Sequence, residues 1–555
     1  MVVKLIFIVL FFAAMVLVGF MSRRRALNVD GFVLAGRAVG PWLTAFSFGT
    51  SYFSAVVFIG YAGRFGWNFG LASTWIGLGN ALIGSLLAWV VLGRRTRIMT
   101  QHLGSKTMPD FFGLRYLSKP LKVVAALIVF IFLIPYTASL FNGLSQLFSA
   151  SFPSISYAWW VVIMAVLTCI YVVVGGYMGS AINNFIQGII MLVGIIAVVG
   201  AVLSTNGGLT EAVAKLSQES AQTAAGTEFR GAFASFFGPQ PVQLLGVVIL
   251  TSLGTWGLPQ MVGKFYAIKD ENAIHKGTLI STFFAVVVAG GCYFLGGFGR
   301  LYADKIAMNG TSPASFDTII PTILSALNTD LGSGGDFLIA LVLVLVLAAS
   351  MSTLSSLVLT SATTITLDLI GQFRKNLDEK KKMLLIRLLI VLSVVLASAI
   401  AILLVVNKEL AGRLYISDLM GISWGALAGC FLAPFLYGLF WKRTTRASVW
   451  ACFVSGLVIT LSEFFITAVG KYQFANPVLR YFFNSAINAG MLAMLFGLVL
   501  VPVVSLFTRK TEPQGVEEMF SCYNRTVTVS LKGSLEEHAP TQETGNAPES
   551  AQPKD

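Results

Sequence analysis

The chain has 555 residues, of which 56% are hydrophobic and only 11% charged, against about 25% charged in soluble domains. Its net charge of +13 lies in short basic stretches between apolar runs, a distribution that points to a membrane and away from nucleic acid. The five cysteines show neither paired nor zinc-ligand spacing, so the sequence offers no disulfide framework and no structural metal site.

The apolar runs are roughly twenty residues long, the length that crosses ~30 Å of hydrocarbon as a helix. Thirteen spans are predicted, at 3–21, 41–62, 71–92, 121–150, 157–178, 184–203, 241–262, 278–300, 336–368, 385–406, 415–440, 449–469 and 480–507. The first run is followed by Met-Ser-Arg-Arg-Arg rather than a small-residue cleavage site, so it reads as a retained helix. An odd number of crossings puts the termini on opposite sides. An outside N-terminus and a cytoplasmic C-terminus place most of the 38 Lys and Arg residues inside. Among them are Arg23, Arg94, Arg115, Lys122, Lys380 and Lys442, and Lys264 is expected in an inner loop just past the seventh span. Segments 204–240 and 301–335, rich in Gly, Ser, Thr and Asn, read as long outer surface loops. The polar tail at 508–555 reads as disordered.

Two spans are interrupted where a plain lipid-facing helix would be continuous. Residues 46–60, FSFGTSYFSAVVFIG, carry Ser47, Gly49, Thr50, Ser51 and Ser54 within an apolar span. Residues 250–263, LTSLGTWGLPQMVG, are broken by Gly254, Gly257 and Pro259. Unwound backbone at membrane depth is tolerated only where it lines a cavity or lies inside protein. The interruptions fall in the second and seventh spans, as expected for two five-helix repeats of opposite topology, at 41–203 and 241–440. A leading transmembrane helix with its cytoplasmic loop at 1–40 and two trailing helices at 441–507 flank them. Close packing of Gly and Ser between helices is the alternative reading of each segment.

A third segment, AASMSTLSSLVLTSATTITLDL at 348–369, puts Ala349, Ser352, Thr353, Ser356 and Thr360 on one helical stripe. Such a stripe is also compatible with simple packing, because Ser and Thr can bond their own helix. Its functional reading is a sodium site: two hydroxyls one residue apart, with carbonyls freed by a broken helix, make a neutral cage of five oxygens. Carboxylates are nearly missing from the central spans. Asp368 falls at a helix end, Glu463 in a late span, and the three histidines in loops or tail. This argues against a buried proton relay.

These residues resemble the sodium:solute symporter family from about Asp30 to Val504. The likeness is carried by GFVLAGRAVGPWLTAFSFGTS at 31–51, GLPQMVGKFYAIKD at 257–270, the Ser/Thr stripe, and Pro109-Asp110-Phe111-Phe112. The resemblance implies an all-α polytopic membrane protein of about 13 transmembrane helices with a leucine-transporter-like core of five plus five inverted-repeat helices. It implies sodium as the coupling ion, held by the backbone of Thr50, Phe53 and Ala349 and the side chains of Ser352 and Thr353. It places Ser54, Ala55, Tyr136, Thr251, Thr255 and Pro259 at the solute, with Trp256 expected to shape access.

Two departures narrow the reading. Tyr52 stands where many relatives have Asp, and Asn183-Asn184 where relatives often carry Asp, which argues for a single coupled sodium unless Asn184 ligates through its amide oxygen. Two positions that are aromatic in proline-type pockets are Thr here, and 71–92 has no acid. The expected function is therefore sodium-coupled import, by alternating access, of an amino acid or other small organic carboxylate across the cell membrane. A sugar or sialic acid symporter and a transporter-like membrane sensor are the alternatives. No nucleotide loop or nucleophile–base set suggests an enzyme. The implied partners are a small organic solute and the lipid bilayer, with no obligate protein partner.

Overall fold

In lipid each backbone N–H and C=O must be satisfied within its own segment, so the apolar runs fold as helices. The structure, a computed structural model, describes residues 2–23, 27–222, 228–310, 312–374, 377–406, 416–470, 472–508 and 515–524. It is helical apart from two small hairpins, Ser220–Gln222 with Glu228–Arg230 and Met308–Asn309 with Ser312–Pro313.

Among the described residues, ten helices are long and apolar enough to cross a membrane, or eleven when the bent pair Pro241–Gly257 and Pro259–Ala267 is taken as one span. Two of the ten are far longer than a bilayer needs. Tyr157–Thr205 has 49 residues, about 73 Å at 1.5 Å per residue, and it is broken at Gly176 (φ 54, ψ −155). Val56–His102 has 47 residues and leaves helical geometry at Gly70 (φ 60, ψ −141). Both glycines adopt positive φ, which a Cβ would oppose. Cut there, and with Pro41–Tyr52 continued into 56–69, the described helices divide into thirteen segments, the number expected from the sequence, whereas length and composition alone give ten or eleven spans.

The reversal at Gly70 can be followed along the helix Glu271–Gly297. A Cβ on Gly49 would meet Phe284, one on Gly66 would sit 2.1 Å from the Gly296 backbone, and Gly297 touches Gly70. The chain then returns, with Gly77 against Ala289 and Trp89 against Gly277. The two broken spans are antiparallel to each other. Val39 bonds Ala267 and Lys269 through the backbone at one end, while the Tyr52 hydroxyl donates to the Thr251 carbonyl near the middle. This is the inverted relation that the spacing of the interruptions predicts.

The centre is formed by Gly334–Phe373 and Ile416–Phe440, whose apolar windows are 89% and 94% buried, against 22% for the lipid-facing Val2–Ser22. The trailing helices Arg446–Ser462 and Ala486–Phe507 pack on Ile416–Phe440. Arg37, Lys106 and Arg115 mark one end of the bundle, the basic face, and segments 206–222, 228–240, 298–310 and 312–332 the other, the long-loop face.

Three expectations change. The segment 301–335 is not an open loop: Ile319–Asp330 is a helix that buries Ile319, Ile320, Ile323, Leu324 and Leu327, a helical period hidden among turn-forming neighbours. Segment 204–240 likewise contains the helix Leu209–Gln218. The tail begins with a docked helix, Val516–Ser521, which buries Val516 and Phe520. Arg115 lies 5.0 Å from the Phe520 ring, and the Tyr523 hydroxyl donates to Leu439 O at 3.2 Å. Residues 509–514 and 525–555, also expected to be disordered, lie outside the described residues.

Candidate functional site

Helix Pro41–Tyr52 starts on a proline and ends at Phe53, whose φ −95 and ψ 109 are extended. The chain resumes as a π-helical turn, Val56–Tyr61, a local widening common at functional sites. The last carbonyls of a helix have no partner of their own. Here the Thr50 carbonyl accepts the Ser352 hydroxyl at 3.0 Å and the Thr353 hydroxyl at 3.1 Å. The same hydroxyls reach Ala349 O at 2.9 and 3.1 Å. Four of the five oxygens expected at a sodium site thus meet across the two repeats, and all four residues are buried. Phe53 stands at the break, where its extended ψ turns its carbonyl out of the helical ladder. The set is neutral and all oxygen, which suits sodium, and a hydroxyl proton can rotate away to leave its lone pairs to a cation.

The solute residues expected from the sequence divide into three groups. Thr251 donates to Asn80 Oδ1 at 2.9 Å, Thr255 to Gly84 O at 3.1 Å, and the Trp256 indole to Ile83 O at 3.0 Å. These three face the returning span 74–102. Tyr136 lies edge-on to Trp424, with ring centroids 6.0 Å apart, and Tyr52 stacks on the same indole at 5.6 Å. Ser54 Oγ accepts the Val56 N–H at 3.2 Å, and Ala55 faces Gly143. Pro259 lines a different cavity, toward the basic face. Trp424 joins Tyr136 to Tyr52, whose hydroxyl reaches the Thr251 carbonyl, and Asn80 accepts Thr251 and Ser252; neither Trp424 nor Asn80 is among the expected site residues. A lone Trp between small residues in ISWGALAGC is the sequence signal for the first. Asn184 donates to Ser47 Oγ at 3.4 Å, and its buried Oδ1 has no hydrogen-bond partner.

Lys264 is a correction. It does not sit in a loop: the helix after the break runs Pro259–Ala267, and Lys264 is 5% exposed. The break at Pro259 restarts the helix, so the span needs several more residues than a straight count allows. The Lys264 ammonium donates to Ser356 Oγ at 3.0 Å and lies 5.2 Å from the Tyr177 ring. With Gln260, Thr107, Ser180 and Thr364 it lines the cavity that Pro259 enters. At the rim of the basic face, Lys122 joins Asp110 at 2.6 Å and Asp368 at 3.3 Å, and Thr107 donates to Asp368 at 2.5 Å.

Toward the long-loop face, Arg64 pairs with Asp418 at 2.6 Å and donates to Ser417 Oγ at 2.7 Å, joining the first broken span to Ile416–Phe440. Beside them, outside the spans, Asp317 accepts the Ile416 N–H at 3.2 Å, and burial lifts its carboxyl to about 7. Arg300 donates to Trp67 O at 2.9 Å and lies 3.8 Å from the Phe233 ring. Burial there lowers its guanidinium to about 10.

Residues 32–456 match the Sodium:solute symporter family. The sodium/proline symporter of Staphylococcus aureus is 28% identical over 467 residues, covering 82% of this chain and 84% of that protein. The substrate-bound outward-open state of a Na+-coupled sialic acid symporter superposes with a TM-score of 0.70 at 16% identity, over 91% of this chain and 98% of the other. Mhp1 in its inward-facing conformation gives 0.50 at 13% identity, over 88% and 96%. The structural likenesses show the fold, a leucine-transporter-type helical membrane protein.

Proposed function

The chain belongs to the sodium:solute symporter family, and from that premise we infer that it imports an amino acid or other small organic carboxylate with one sodium ion by alternating access. Sodium-coupled solute symport is the family's activity, and the chain is a transporter rather than an enzyme. The observation that carries the reading is the meeting of Ser352 and Thr353 with the Thr50 carbonyl, 3.0 and 3.1 Å across the repeats. An ion bridging those oxygens holds the break of the first broken span against the Ser/Thr helix. Binding energy at that junction therefore biases how the two repeats lie against each other, which is the linkage a symporter needs.

In this reading the solute sits beside Ser54, Ala55 and Tyr136, with Thr251, Thr255, Trp256 and Pro259 on the second broken span. The Arg64–Asp418 pair closes the path toward the long-loop face, and the cavity at Pro259 forms the path toward the basic face. The positive-inside bias puts the basic face in the cytoplasm and the N-terminus outside. A carboxylate is favoured over a sugar because 71–92 has no acid, and Asn80, among its main polar residues, has its Oδ1 taken by Thr251 and Ser252 at 2.9 and 3.2 Å and its buried N–H₂ without a hydrogen-bond partner, a donor suited to a carboxylate.

Proteoliposomes offered labelled amino acids, monocarboxylates, pantothenate, sialic acid and sugars test the reading. Saturable uptake of a carboxylate solute that requires an inward sodium gradient is expected. Uptake of sugars alone, or uptake indifferent to sodium, overturns it.

A further inference from the structure

Lys264 carries three N–H donors and is given one hydrogen-bond acceptor, Ser356 Oγ at 3.0 Å. Among the described residues no carboxylate lies within 4 Å of it. Other buried cations here are better served: Arg115 donates to the carbonyls of Gly438, Trp441 and Lys442, and Arg97 to Ile268 O and Gln101. A buried charge without an anion or enough acceptors is costly, so its partner is to be sought in the adjoining cavity.

That cavity is short of hydrogen-bond partners on several sides. Both amide atoms of Gln260, the Tyr177 hydroxyl, the Ser180 hydroxyl and the Thr364 hydroxyl are buried and unpartnered, and all line the space that Lys264 lines. Gln260 lies one helical turn before Lys264, so the two side chains share a face. One ammonium, one amide N–H₂ and three hydroxyls form a donor-rich pocket around a positive centre. The chemistry that satisfies it is a carboxylate, through charge-assisted hydrogen bonds.

The same ammonium lies near the sodium ligands. Ser356 Oγ is 3.2 Å from the Ser352 carbonyl and 2.7 Å from Ser51 Oγ, and Ser51 follows Thr50 in the chain. A positive charge at this place repels an arriving sodium, and an anion bound to it removes the repulsion.

We propose that Lys264 and Gln260, with the hydroxyls of Tyr177 and Ser180, form a carboxylate station in the half of the pathway nearest the basic face, and that occupation of this station by the solute's carboxylate strengthens sodium binding. The proposal rests on the sodium-coupled reading given above and adds the group that senses the solute's charge.

The test uses the full chain in nanodiscs, with sodium binding followed by calorimetry in N-methylglucamine buffer. Without solute, Lys264→Gln is expected to bind sodium at least about tenfold more tightly than wild type, and Lys264→Arg to match wild type. Gln260→Glu places a carboxylate beside Lys264 and is expected to tighten sodium in the same way, which keeps the test decisive if Lys264→Gln does not fold. N-methylglucamine acetate or lactate, or L-proline, is expected to tighten sodium binding by wild type but not by Lys264→Gln, and acetamide, lactamide and prolinamide to have no effect. Sodium affinity unmoved in Lys264→Gln and Gln260→Glu overturns the proposal alone. So does a carboxylate effect that survives Lys264→Gln, one that the amides reproduce, or its absence in wild type. Absence of sodium binding in every protein overturns the sodium-coupled reading as well.

Discussion

The Thr353 hydroxyl stands 3.1 Å from the carbonyl of Thr50, a residue 303 positions earlier in the chain. Helix Ser333–Thr364 is thereby joined to the break in the first repeat by an oxygen pair that a cation can share. Removing one hydroxyl from a buried cation costs about 1–3 kcal/mol, and 1.4 kcal/mol is tenfold in affinity. Thr353→Ala is therefore expected to weaken sodium half-saturation roughly ten- to a hundredfold, with Thr353→Ser mild and Ser352→Ala like Thr353→Ala. Solute affinity should fall mainly at limiting sodium, since coupling is reciprocal. Sodium titration of uptake decides: half-saturation equal to wild type in all three removes the site.

Tyr136 and Trp256 make different contacts and should fail differently. Tyr136 leans on Trp424, whereas the Trp256 indole N–H is engaged by Ile83 O at 3.0 Å. Tyr136→Ala and Trp256→Ala are each expected to raise Km or reorder the solutes with expression preserved. Trp256→Phe keeps the ring and loses the hydrogen bond, with an expected loss of about 1 kcal/mol in stability. Solute affinity and ranking unchanged in both alanine variants would exclude the pair from the pocket.

The Arg64–Asp418 pair is 21% and 16% exposed. Breaking a fully buried pair by removing one partner costs about 3–5 kcal/mol, and partial exposure lowers this to about 2–3. Arg64→Gln should loosen the junction of the first broken span with Ile416–Phe440. A cysteine placed at Val247, in the vestibule beside Arg64, should then react faster with a membrane-impermeant thiol reagent added from the outside. An unchanged labelling rate would show that the pair does not hold that path shut.

The burial of Asp317 sets the sign of an expected pH dependence. Burial raises its carboxyl from 3.8 to about 7, so between those values the folded protein holds a proton that the unfolded chain has released. Stability from this group is present at acid pH and falls as pH rises toward 7. Asp317→Asn keeps an acceptor for the Ile416 N–H and cannot ionise. It should flatten the slope of unfolding temperature against pH between about 4 and 7, and identical slopes in the two proteins would refute the assignment.

Much of this architecture can be read from local pattern. Runs of about twenty apolar residues mark crossings, and Pro259 marks the second broken span by restarting its helix, whereas Ser47, Gly49, Thr50 and Ser51 stay helical and the first break falls just beyond them at Phe53. The Ser/Thr stripe was equally open to reading, since helical spacing alone puts Ser352 and Thr353 on one face. What escaped depends on partners distant in sequence. Trp424 gains its role only when Tyr52 and Tyr136 arrive on either side. Lys264 looks like a loop cation until the restart of the helix at Pro259 carries it inside. Ile319–Asp330 was concealed because its apolar face is short and bordered by residues typical of turns.

The backbone stitch between Val39 and the pair Ala267 and Lys269 has a consequence for how such a chain diversifies. Its hydrogen bonds belong to the main chain, so most substitutions at these positions leave the bonding groups in place. The Gly66–Gly296 contact, where even a methyl group would collide, is the opposite case, a seam that nearly any replacement would force open. Neither join includes Thr251, Thr255 or Tyr136, so under the proposed solute site selection can exchange these residues, and with them the cargo, without re-engineering the frame.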